Sequence, residues 1–66
     1  MFEEGERYRI EGKSVDMFVV GIDKETSDDI RLAIFWVNQE TGAMLSADEI
    51  TIKKADYSKW KKVEVV

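Results

Sequence analysis

The chain contains no cysteine, no histidine and no proline among its 66 residues, and only four glycines. Without cysteine it forms no disulfide, and without cysteine or histidine it lacks the commonest ligands for zinc, haem and iron–sulfur clusters. The same absences remove thiol and imidazole chemistry, leaving hydroxyls at Ser14, Ser27, Ser46 and Ser58 without a recognisable activating neighbour. No cofactor or metal is expected, and catalysis is not. No proline, internal repeat or low-complexity stretch divides the sequence, so it reads as one domain over residues 1–66. Nothing approaches the ~20 apolar residues of a membrane span. The start Met1-Phe2-Glu3-Glu4-Gly5-Glu6 is acidic where a signal peptide is basic, so the expected location is cytoplasmic, with no membrane partner.

What the chain does have is 44% hydrophobic and 11% aromatic residues, enough for a core and unlike a disordered composition. A domain of this size buries only about 60% of the surface its unfolded form exposes, so its stability is modest. With disulfides and metals excluded, oligomerisation is the remaining staple. The net charge of −4 argues against attraction of the whole surface to nucleic acid or anionic lipid. The charge is uneven, however. Residues 1–50 hold twelve acids against five bases, whereas residues 51–66 hold Lys53, Lys54, Lys59, Lys61 and Lys62 against Asp56 and Glu64.

Hydrophobic alternation and turn residues predict five short strands. Glu6–Ile10 alternates and suits a first strand, followed by a turn at Glu11-Gly12-Lys13-Ser14. Val15–Ile22 is a second strand with Gly21 as a bulge or sharp bend, and Asp23–Asp29 reads as a polar loop. Ile30–Val37 is the third strand, closed by the hairpin loop Asn38-Gln39-Glu40-Thr41-Gly42. For residues 46–62 two readings compete. Ser46-Ala47-Asp48-Glu49 matches a capping box that starts a helix toward Lys62, whereas Ile50-Thr51-Ile52-Lys53 alternates as a β-branched strand. The strand reading gives a fourth strand over Glu49–Lys53, a helical turn near Ala55–Lys59 and a last strand over Lys61–Val65. The helix reading gives an α+β fold, a three-stranded sheet with a C-terminal helix.

Four segments carry a resemblance at the level of architecture. They are Gly5-Glu6-Arg7-Tyr8-Arg9-Ile10 as an opening strand, Met17–Ile22 and Ile30–Asn38 as a central pair, and Ala55-Asp56-Tyr57-Ser58-Lys59-Trp60 as a turn before the closing strand. Together they resemble the small five-stranded SH3-like barrel, Tudor- and KOW-type modules included. That resemblance implies an all-β barrel binding peptides, modified side chains or nucleic acids through loop aromatics, for which Tyr8, Trp36, Tyr57 and Trp60 are the candidates.

Three motifs read as ordinary structure. Gly12-Lys13-Ser14 matches the end of a phosphate-binding loop, but Arg7 stands where the first glycine belongs and no α/β sheet surrounds it. Asp23, Glu25, Asp28 and Asp29 make an acidic loop without EF-hand spacing. Asp48 and Glu49 are adjacent on a strand and point to opposite faces, which disqualifies them as a catalytic pair.

The clearest functional signal is that the second and third strands are apolar at both parities. Ile30, Leu32, Ile34 and Trp36 line one interior, leaving Phe35 and Val37, and across from them Phe18 and Val20, in need of a second cover. Cover from Met1-Phe2 or Val63-Glu64-Val65-Val66 competes with cover by another molecule. The leading expectation is a non-enzymatic protein-interaction module, an adaptor or inhibitor that is homodimeric or docks a protein, through Phe18, Val20, Phe35 and Val37 with Tyr8 and Trp36 as anchors. The second is a nucleic-acid binder using Lys53, Lys54, Lys59, Lys61 and Lys62 around Tyr57 and Trp60. The third is an acidic surface that imitates a nucleic-acid backbone.

Overall fold

Alternating side chains in Arg7-Tyr8-Arg9-Ile10 and β-branched residues in the longer segments favour extended backbone, and turns at Gly12 and Gly42 reverse the chain at positive φ. The computed structural model describes residues 1–64. It contains β1 (Arg7–Ile10), β2 (Val15–Glu25), β3 (Asp29–Asn38), β4 (Met44–Lys53), a 3₁₀ turn (Lys54–Lys59) and β5 (Trp60–Lys62). All neighbouring strands are antiparallel, in the order β4-β3-β2-β1-β5. The expected all-β fold with a helical turn before the last strand is therefore present. No ladder joins the two edges β4 and β5 among the described residues, so the sheet is not closed into a barrel by hydrogen bonds.

Several boundaries differ from expectation. The polar segment Asp23-Lys24-Glu25 extends β2, and Thr26 closes the hairpin, its hydroxyl accepting from the Asp28 and Asp29 amides at 3.3 and 3.0 Å. β4 begins at Met44 instead of Glu49, so the helix reading of residues 46–62 is overturned. Register with β3 along the whole of Met44–Lys53 outweighs the local capping-box signal. β5 runs over Trp60–Lys62, so it begins one residue early and the expected strand residues Val63 and Glu64 lie beyond its end, while Val65 lies outside the described residues. β2 carries a bulge one residue before the expected Gly21: Gly21 pairs with Ala33, and Val20 is the extra residue between it and Val19.

The inner face of the sheet holds the core: Tyr8, Met17, Val19, Ile30, Leu32, Ile34 and Ile52, with Trp36, Ile50, Tyr57 and Trp60 packed at its rim. Phe2 folds back over this face. Its ring meets Tyr8, Tyr57 and Trp60 edge-on at centroid distances of 4.8, 5.0 and 6.1 Å. The Tyr8 hydroxyl fixes that segment, accepting from the Glu3 amide at 2.8 Å and donating to the Met1 carbonyl at 3.3 Å. The N-terminal segment thus covers the first apolar face and not the second, because the pairing of Gly5 with Val19 directs the preceding residues inward.

Candidate interaction surface

Cross-strand register assembles the outer face. Phe18 of β2 lies directly opposite Phe35 of β3, which lies opposite Ala47 of β4, and Gly21 lies opposite Ala33. The bulge turns Val20 out beside them, where it is 47% exposed. Val20, Ala33, Phe35 and Ala47 line a shallow, mainly apolar depression of about 440 Å³ on this face, with Asp48 and Glu49 at its β4 rim. Phe18 and Phe35 are half-buried by one another and their neighbours. Met44 and Leu45, 62% and 56% exposed, continue apolar surface onto the start of the edge strand β4, where a register shift separates them.

Two charge arrangements border this patch. On the β1 side, the Asp16 carboxylate is fully buried on an otherwise apolar face, which is costly unless it is paired. Arg9 supplies the pair, Nε to Oδ1 at 2.7 Å and Nη2 to Oδ2 at 3.0 Å, and this hydrogen bond pushes the guanidinium above its ordinary value. Arg7 Nε stands 3.2 Å from Oδ2 without hydrogen-bond alignment, so its contribution is coulombic. Arg7 also reaches across the strands toward Gly42, passing the row in which Asp16 faces Val37. On the β4 side, Arg31 holds Glu49 at 2.7 Å, and that hydrogen bond keeps the carboxyl below its ordinary range.

The residues expected to form one sticky face are therefore divided. Phe18, Val20 and Phe35 share the outer surface, as the alternation requires. Val37 lies on the same face but is only 3% exposed. Tyr8 is 1% exposed in the interior, which excludes it as a surface anchor: β1 carries it on the core face, beneath Phe2. Trp36 is half-buried on the inner side, one residue from Phe35, and its Nε1 donates to Asp48 at 3.2 Å. The outer-face residues Ala33 and Ala47, absent from the sequence-based site, are flat floor between larger side chains. Alanine carries too little apolar bulk for a pattern search to single it out.

The basic C-terminal segment forms no open aromatic platform. Lys54 pairs with Glu25 at 2.7 Å, Lys59 with Asp56 at 3.2 Å and Lys62 with Glu6 at 3.7 Å. Lys53 and Lys61 are exposed and carry no ion pair among the described residues. Tyr57 and Trp60 are half-buried against Phe2. Burial of the Tyr57 phenol, whose hydroxyl has no hydrogen-bond partner among the described residues, pushes its pKa up.

The acidic loop is likewise dispersed, Glu25 being held by Lys54 and Asp23 lying beside Arg31 and Glu49. Among the described residues no three such side chains converge on a metal position. Comparison with protein-family models, curated proteins and solved structures finds no match to this chain.

Proposed function

We propose that this chain is a non-enzymatic protein-interaction module of SH3-like architecture that associates through its outer sheet face, with a second copy as the occupant. The architectural reading is supported by the meander β1 to β4, the 3₁₀ turn and the return of β5 to the far side of β1. The observation that carries the functional reading is the direct opposition of Phe18 and Phe35 beside the exposed Val20, with Ala33 and Ala47 as floor. Two carboxylates stand at its β4 rim, Asp48 accepting from Trp36 Nε1 and Glu49 held by Arg31. On the β1 side Arg7 and Arg9 share the single Asp16 carboxylate and leave that border cationic, while Asp48 and Glu49 make the β4 border acidic, so two copies meet with the cationic border of one against the acidic border of the other. A large aromatic buried at such a contact contributes roughly 1.5–3 kcal/mol, which a small domain without disulfides or metal needs.

Sedimentation equilibrium tests the reading. The wild type is expected to be dimeric at micromolar concentration, and Phe35→Asp to be a folded monomer, because Phe35 is outside the core cluster. A Phe35→Asp protein that stays folded and keeps the mass of the wild type removes this face from consideration. Nucleic-acid binding through the C-terminal segment draws less support, since three of its five lysines are ion-paired and both of its aromatics face the interior.

A further inference from the structure

The sheet leaves a seam where its two edges approach. Ile50, Thr51, Ile52 and Lys53 of β4 stand on one side, Trp60 of β5 and Ile10 of β1 on the other, around a cavity of about 440 Å³. A second cavity of about 650 Å³ adjoins it through Ile10 and Lys59 and runs past Arg9, Glu11 and Lys61. Together they form a continuous groove on a different surface from the Phe18–Phe35 patch.

Three features of this groove describe its occupant. Among the described residues β4 pairs only with β3, so up to the Lys53 carbonyl, which caps the 3₁₀ turn, its outward backbone N–H and C=O groups face the seam as a template for one more extended segment. Ile10 and Trp60 lie directly opposite one another in register, both half-buried, and offer an apolar slot beneath that edge. The charge at the rim is opposite to that of the molecule. Arg9 and Lys59 are occupied by Asp16 and Asp56, and Lys53 and Lys61, unpaired among the described residues, outweigh the single unpaired acid of the rim, Glu11, in a chain whose net charge is −4. An anionic segment is repelled by most of this surface and attracted here.

We infer that the groove binds an extended acidic peptide segment that adds to the β4 edge, its alternate apolar side chains entering the Ile10/Trp60 slot and its carboxylates meeting Lys53 and Lys61. The alternation follows from strand geometry, since successive side chains of an added strand point to opposite sides. A single-stranded polyanion is a poorer fit, because the Tyr57 and Trp60 rings are packed edge-on against Phe2 and leave no pair of open faces for consecutive bases.

Fluorescence anisotropy with three labelled probes tests this: a capped octapeptide alternating Glu and Val, the same peptide with Lys for Glu, and a decathymidylate. The Glu peptide is expected to bind at least ~10-fold tighter than either of the others at low salt, and to weaken as salt rises. Lys53→Glu and Lys61→Glu, both at exposed positions, are expected to weaken it by ~10-fold while circular dichroism stays unchanged. Phe35→Asp is expected to bind the peptide as the wild type does, because the patch and the groove do not share residues. Equal affinity for the two peptides, indifference to both lysine reversals, or tighter binding of the decathymidylate overturns the inference, the last in favour of nucleic acid.

Discussion

Arg9 clamps Asp16 with two hydrogen bonds across the β1–β2 ladder, the Asp16 side chain having no solvent exposure while the Arg9 side chain is 44% exposed. This asymmetry sets the consequences of losing either partner. Removing Arg9 takes both side-chain hydrogen bonds from a buried carboxylate and leaves it only the coulombic contact of Arg7, whereas removing the aspartate returns the Arg9 guanidinium to water.

Arg9→Ala is accordingly expected to destabilise the fold more than Asp16→Asn, read as a lower urea midpoint at neutral pH. The double variant Arg9→Met with Asp16→Val is expected to be less destabilised than Arg9→Ala. Additive losses in that cycle would show that the pair is not coupled.

Phe2 and Tyr57 give opposite expectations within one aromatic cluster. Phe2→Ala removes the lid over Tyr8, Tyr57 and Trp60 and is expected to cost about 3–5 kcal/mol, with Trp60 becoming more accessible to a fluorescence quencher. Tyr57→Phe deletes a buried hydroxyl that has no partner among the described residues and is expected to be neutral or to stabilise by up to ~1 kcal/mol. A loss of stability on Tyr57→Phe equal to that of an ordinary hydrogen-bonded tyrosine would contradict the packing described.

The ion pairs at the surface predict a response to acid. Hydrogen bonds from Lys54 and Arg31 hold Glu25 and Glu49 below the ordinary value of 4.5. A carboxyl with a lowered folded pKa stabilises the fold fully above its unfolded value, and that contribution is lost as pH falls through the folded one. Stability is therefore expected to decline below about pH 4.5, by a small amount because both pairs are solvent-exposed and screened. Glu25→Gln and Glu49→Gln are expected to flatten the decline between pH 5 and 3, and ~0.5 M salt to do the same; an unchanged slope refutes the assignment.

The order of elements was legible from local chemistry. The two-sided apolar patterns of Val15–Ile22 and Ile30–Val37 marked the central strands, Gly21 marked a bulge one residue away, and the β-branched Ile50-Thr51-Ile52 marked β4 against its capping-box rival. Boundaries were less legible, because polar residues such as Asp23-Lys24-Glu25 enter a strand only when a paired neighbour extends beside them.

By itself, then, the sequence determined the class: alternation of period two, turn glycines and the absence of cysteine and histidine dictate a small antiparallel sheet whose second and third strands are greasy on both sides. Tertiary structure alone decided how that surplus is distributed. It turned Phe2 inward over Tyr8, sealed Val37 in the row of Arg9 and Asp16, separated Trp36 from Phe35 and left Phe18, Val20 and Phe35 outside. Parity along a strand is a local property of the backbone. Which parity meets water depends on where distant segments come to lie, and that is settled only when the whole chain competes for the same interior.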